Sequence, residues 1–207
     1  LDGVVTTVDG RVRRGERTRE AIVDALLACY EDGTLRPSIT EVAARAGVSA
    51  RSVHNHFEDV ENLRAQVAQR QWERYAHLAE RAHVDGTLAA RVDAVVALRA
   101  ELFDAVTPVR RAALLSVHDS PTIARSLRRL DRVLRRQVET VFARELRRAP
   151  GRELLDALDA LLSWDTWHRL REAQGCSTTR AIRVLAASVT TLLERPTPDR
   201  PEQGGTA

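Results

Sequence analysis

Between Ser38 and Phe57 the chain reads SITEVAARAGVSARSVHNHF, and the small residues in it leave few ways to fold. Ser38 stands three residues before Glu41, a capping box that predicts a helix opening at Ile39. Gly47 ends that helix after about two turns. Ser49 is a good N-cap for a second helix running to about Phe57. Two helices crossing steeply need a small residue where they touch, a glycine where φ turns positive, and an apolar residue to lock the second down. Ala43, Gly47 and Val53 stand in that order. This is the helix-turn-helix arrangement, although an ordinary short helical hairpin inside a bundle would satisfy the same offsets.

In a helix-turn-helix, the N-terminal residues of the second helix meet base edges in the major groove. Arg51 is then the best reader, because arginine to guanine O6/N7 is the commonest specific contact. His54, one turn on, shares its face and leaves Val53 and Phe57 inward. Asn55 either pairs with an adenine or merely ends the helix. Thr40 and Ala50 are secondary readers, and Ser38, Ser49 and Ser52 are positioned to donate to phosphates near the positive helix ends. His54 and His56 lie two residues apart on a helix, roughly 200° around it, so they cannot jointly hold a metal.

Elsewhere the pattern is helical throughout. Ile22, Leu26, Cys29 and Tyr30 predict a first helix with Gly33 as its stop, and Val60, Leu63, Val67 and Trp72 predict a fourth from about residue 59. Five more are expected, over about 87–106, 108–117, 121–148, 152–173 and 178–194, punctuated by Gly86, Pro108, Pro121, Pro150, Gly175 and Pro196. No stretch alternates as a strand does. The fold class is all-α with about nine helices. The expected divisions are a flexible Arg-containing arm over 1–15, a three-helix helix-turn-helix domain over 16–60, a larger helical domain over 61–195, and a disordered tail over 196–207.

The match with a known family runs from TREAIVDALLACYEDGT through SITEVAARAGVSARSVHNHFEDVENLRAQV, with the Ala-Gly-Val-Ser and His-Phe elements its most specific parts. On these residues the chain resembles the TetR family of bacterial transcription regulators. LLSWDTWHRLREAQGCS further resembles a C-terminal pattern common among such regulators. The resemblance implies a homodimer on double-stranded DNA, with an inverted-repeat operator and a small-molecule ligand in the larger domain. It also implies that His56 sits beside the DNA backbone or packs the end of its helix. The sequence departs from the family where His54 replaces an aromatic, usually tyrosine, where Asn55 often gives way to a second aromatic, and where Val60 stands in place of a lysine.

Charge neither demands nor forbids this. All 32 basic residues are arginine and the formal net charge is +3, but residues 1–74 carry 11 arginines against 12 acidic residues. DNA binding there must rest on a local patch. In the leader, Arg11, Arg13, Arg14, Arg17 and Arg19 could track phosphates or probe a minor groove. Residues 110–148 carry 11 arginines against 4 acidic residues, and Arg125, Arg128, Arg132 and Arg135 form a stripe that reads first as a solvated face.

In the larger domain the two last helices offer more apolar surface than a small bundle must bury. Leu158 and Leu161 on one and Leu185, Val189 and Leu192 on the other are the candidate dimer interface. Tyr75, Phe103, His118, Trp164 and His168 are the candidate ligand pocket, where apolar walls and a few polar groups would converge.

The leading function is a homodimeric DNA-binding regulator, a repressor released by ligand. The alternative is a helical adaptor whose helix-turn-helix has decayed. An enzyme is not indicated: no nucleophile elbow, phosphate loop or metal-ligand spacing is present, so no catalytic residue, cofactor or metal is expected. Cys29 and Cys176 form no disulfide pattern, and no leader or membrane span is evident, which together suggest a cytoplasmic protein.

Overall fold

Helix α1 covers Val5–Glu31 and presents its C-terminal half as a wide apolar face of Ile22, Val23, Ala25, Leu26, Leu27 and Cys29, all buried. The computed structural model describes residues 5–57, 60–82, 85–148 and 152–194, the side chains of 5–9 and 11 excepted. The tail expected over 196–207 lies outside them. Much of the leader expected to be a flexible arm is instead the start of α1. No proline interrupts it, and once the packed half is nucleated each added residue gains one backbone hydrogen bond.

The remaining elements are α2 (Ile39–Ala46), α3 (Ala50–His56), α4 (Val60–Glu80), α5 (Leu88–Leu114), α6 (Pro121–Val141), α7 (Ala143–Leu146), α8 (Glu153–Leu161), α9 (Trp164–His168) and α10 (Thr178–Glu194), with a π-helical turn at Arg169–Ala173. No strand occurs among the described residues.

Three expected boundaries move. Pro108 lies inside α5, which is one helix where two were expected. The proline removes one backbone bond, but Phe103 and Val106 before it and Ala112 after it are buried, so packing holds both sides in line. The long helix expected over 121–148 ends at Val141. Fully buried Phe142 leaves helical geometry at φ −106°, ψ 22° before the short α7. The helix expected over 152–173 is divided by Ser163, whose Oγ accepts from Thr166 N at 3.2 Å and donates to Ala160 O at 2.7 Å. That hydroxyl recaps α9 and offers the backbone an alternative to continued helix.

Internal packing separates two units, Leu1–Ala76 with Asp104–Leu130 and His77–Phe103 with Asp131–Ala207. The division falls inside α4, α5 and α6. In the first unit α1, α2 and α3 enclose a core of Ile22, Leu26, Leu27, Val42, Ala43, Val53 and Phe57, with Val67 of α4 buried in it and Val109 of α5 packed against it.

The second unit buries Val92, Val95, Val96, Leu102 and Phe103 of α5, Leu134, Val138 and Val141 of α6, and Leu155, Leu158, Trp164, Trp167, Leu185 and Val189 nearer the C-terminus. It also buries charge. Arg91 is 3% exposed and forks onto Glu145 at 2.6 and 3.1 Å, donating as well to Val141 O at 2.6 Å. The arginine holds the Glu145 carboxyl below its ordinary range.

Candidate nucleic-acid interface

The turn between α2 and α3 is built from local hydrogen bonds. Ser38 Oγ accepts from Glu41 N at 3.2 Å, and the Glu41 carboxylate accepts from Ser38 N at 2.7 Å, completing the capping box. The Ser38 N–H and then the Ser38 hydroxyl, each donating to it at 2.7 Å, hold the Glu41 carboxyl below its ordinary range. Gly47 closes α2 at φ 67°, ψ 30°, and Val48 N donates to Ala43 O at 3.0 Å. Ser49 then caps α3, its Oγ accepting from Ser52 N at 3.1 Å. Ala43 (3% exposed) and Val53 (5%) face inward, as a steep helix crossing requires.

With that face buried, the rest of α3 points out. Ala50, Arg51, His54 and Asn55 are exposed, Ser49 is exposed at the turn, and Ser38 and Thr40 are exposed at the head of α2. Ser52 is half-buried. His56 is half-buried too, and its ring lies against α1, where a Cβ added at Gly15 would meet its Cε1 at 3.9 Å. Of the two roles open to His56, this geometry is that of packing.

Arg19 departs from the expectation of phosphate tracking. Its Nη2 donates to His56 O at 3.2 Å and its guanidinium lies over the Phe57 ring at 5.6 Å. A cation there complements the negative C-terminal end of α3 and pins it to α1. Nothing local to the α3 sequence signals this, because the partner is 37 residues away. Arg45 is likewise bonded to Asp32. Arg51 is the arginine that α3 itself exposes. Val60, where the resemblance leads one to expect lysine, is 57% exposed and apolar.

A second device was also missed. The Glu61 carboxylate, in the first turn of α4, accepts from Arg64 at 2.6 Å, from Ser120 Oγ at 2.9 Å and from Thr122 N at 3.3 Å. It thus caps the start of α6, 59 residues on from its own position at Ser120. The guanidinium, then the hydroxyl, lower its pKa to about 2.

The pocket candidates divide between the two units. Tyr75, half-buried, and His118, exposed in the turn after α5, belong to the first unit. Phe103, Trp164 and His168 belong to the second, where Trp164 and His168 stack with ring centroids 4.4 Å apart. Of the interface candidates, Leu158, Leu185 and Val189 are at most 1% exposed in the single chain. They are core, and a partner cannot reach them. Leu161 and Leu192 stay partly exposed. In the arginine stripe, Arg135 bonds Asp156 and Asp159 at 2.5 and 3.0 Å, and Arg125 bonds Thr122 at 3.2 Å. Arg128 and Arg132 are exposed, and the neighbouring Arg129 lies 3.9 Å over the Trp72 ring.

No family model and no curated protein matches the sequence. Solved structures do match the fold. A transcriptional regulator from Rhodococcus sp. Rha1 aligns at TM-score 0.63 and 19% identity, over 86% of this chain and 95% of its own. A TetR-family transcriptional regulator from Streptomyces coelicolor aligns at 0.65 and 17%, over 84% and 81%. A protein described as a TetR-family regulator from Mesorhizobium loti aligns at 0.59 and 21%, over 87% and 96%. The chain therefore has the all-α fold of TetR-family transcriptional regulators, with a helix-turn-helix at residues 39–56.

Proposed function

We propose that this chain is a DNA-binding transcription regulator of the TetR family, acting as a homodimeric repressor that a small-molecule ligand releases from an inverted-repeat operator. The observation that carries the reading is α3. Its inner face is locked by Ala43, Val53 and Phe57, while Arg51, His54 and Asn55 stand exposed on a capped helix, uncovered by any of the described residues. Arg51 reads a guanine edge, His54 and Asn55 lie beside it, and Ser38, Thr40, Ser49, Ala50 and Ser52 supply phosphate and methyl contacts. His56 acts by holding α3 in place.

One such helix reads only a few base pairs, so two must be presented about one DNA turn apart, or a multiple of it. Half-exposed apolar residues of α8 (Leu154, Ala157, Leu161) and α10 (Ile182, Ala186, Leu193) make the face for a second copy. Ligand in the second unit favours a dimer whose recognition helices no longer match the half-site spacing. A coupling of about 2 kcal/mol is enough for a useful response.

Selection of genomic fragments by the purified protein at fixed salt, repeated with Arg51→Ala, tests this. The expected result is an inverted repeat whose preference at one base pair per half-site relaxes in the variant, a loss of about 1–3 kcal/mol per site. The exposed Val60 and the acidic balance of residues 1–74 favour a second reading, an adaptor that has lost DNA recognition. Binding indifferent to both sequence and Arg51 would leave that reading standing instead.

A further inference from the structure

Arg99 lies on the apolar face of α5, one turn from Val95 and Val96 on one side and from Leu102 and Phe103 on the other, all of them buried. Its own side chain is 1% exposed. Nη2 donates to Leu134 O at 2.9 Å, while Nε and Nη1 are buried and have no hydrogen-bond partner among the described residues. The guanidinium lies 6.0 Å from the Phe103 ring centre. The acidic group it feels is Asp159, whose carboxylate is already bonded to Arg135 at 3.0 Å.

Burial lowers the Arg99 pKa to about 10, against the pull of Asp159, so the group is still a cation at neutral pH. A buried charge without a counter-ion is strongly unfavourable, and replacing it by an apolar residue of similar volume is often neutral or stabilising. Buried Arg91 shows the contrast, since it forks onto the Glu145 carboxylate. Among the described residues Arg99 has no such hydrogen-bonded carboxylate.

A guanidinium carries five N–H donors, and Arg99 directs one of its nitrogens at Leu134 O. Whichever Nη2 hydrogen is used, one two-pronged edge remains, Nε with Nη2 or Nη1 with Nη2. That edge matches a carboxylate. Val95, Val96 and Phe103, one turn away on α5, and Leu134, whose carbonyl the guanidinium meets, are apolar and buried, so the rest of the occupant must be apolar. One cation calls for one negative charge. A phosphate monoester, with a second charge, would leave a buried anion in excess.

We infer that Arg99 is the anchor of a ligand site in the second unit, and that the ligand is an apolar monocarboxylate whose carboxylate pairs with the free edge of the guanidinium. This names the ligand class for the regulation proposed above, and it rests on that reading for its biological consequence but not for the binding itself.

The test uses the full chain with straight-chain carboxylates from butanoate to dodecanoate, benzoate and phenylacetate, each against its primary amide. Thermal melting and the 15N-edited Nε–H signal of Arg99 are the readouts. At least one carboxylate should raise Tm and move the Arg99 signal, with its amide at least tenfold weaker. Arg99→Met should lose that response by at least tenfold while melting at or above the parent temperature without ligand. If Arg99→Met does not fold, the parent's Nε–H signal decides alone. Equal response to acid and amide, no response to any carboxylate, or undiminished binding by Arg99→Met would overturn the inference. DNA binding measured alongside separates the two readings. Carboxylate binding that leaves DNA affinity unchanged keeps the site and removes its regulatory role. Release of DNA by a neutral compound, unaffected by Arg99→Met, keeps ligand regulation and removes this site.

Discussion

At the scale of single residues, the chain places its charges with specific work to do. Glu61 is bonded to Arg64, Ser120 and the start of α6, and its pKa is lowered from 4.5 to about 2. A carboxylate whose folded pKa is depressed contributes stability that is fully present above its unfolded value and is lost as pH falls through the folded one. The parent should therefore be more stable than Glu61→Gln at neutral pH, with the gap closing between about pH 4.5 and about pH 2. Urea midpoints of the two proteins across that window check it, and a gap independent of pH would rule it out. The sequence places Glu61 in the first turn of a helix but does not reveal its partner. Arg51 was legible because its exposure follows from local helix phase. Arg19 and Arg99 were not, although an arginine within the run Val95–Phe103 is a signal that a charge sits on a buried face.

Among the elements, the helix-turn-helix was the most legible, because its signals act over three or four residues. The Ser38–Glu41 capping box, the Gly47 stop and the Ser49 cap all occur where the pattern predicts. Glycine substitutions separate backbone geometry from packing here. At Gly47 no described residue lies within 4 Å of an added Cβ, yet φ is 67°. Gly47→Ala should destabilise by about 1 kcal/mol through the left-handed backbone alone. Gly15 lies inside α1 without a positive φ, and an added Cβ makes ordinary contact with His56 at 3.9 Å. Gly15→Ala should stabilise by about 0.5–1 kcal/mol. Denaturant midpoints of opposite sign for the same chemical change are the expected result. Apart from the leader, which continues α1, the elements that sequence reading misplaced lie beyond α4, where Pro108 and Ser163 act against their usual or silent roles. Whether a proline ends a helix depends on how strongly its flanks are packed.

For the whole molecule, the proposed dimer makes a prediction that burial sharpens. Leu161→Arg with Ala186→Arg changes partly exposed positions of α8 and α10. It should leave the helical content intact and halve the mass measured by light scattering. Leu185→Ala, at a position 1% exposed, should instead lower the stability of the subunit itself by about 2–5 kcal/mol. If the double arginine variant keeps the mass of the parent, the proposed face is wrong. Sequence alone determined the all-helical class, the two capped helices of the turn and the outward set on α3. Each of these follows from hydrogen bonds and backbone angles within a few residues. Tertiary structure alone decided that Leu158, Leu185 and Val189 are core, that Arg19 pins α3, and that Arg99 is a buried cation with an unused edge. Those outcomes depend on which helices meet across long stretches of chain, and apolar periodicity marks a buried face without saying what covers it.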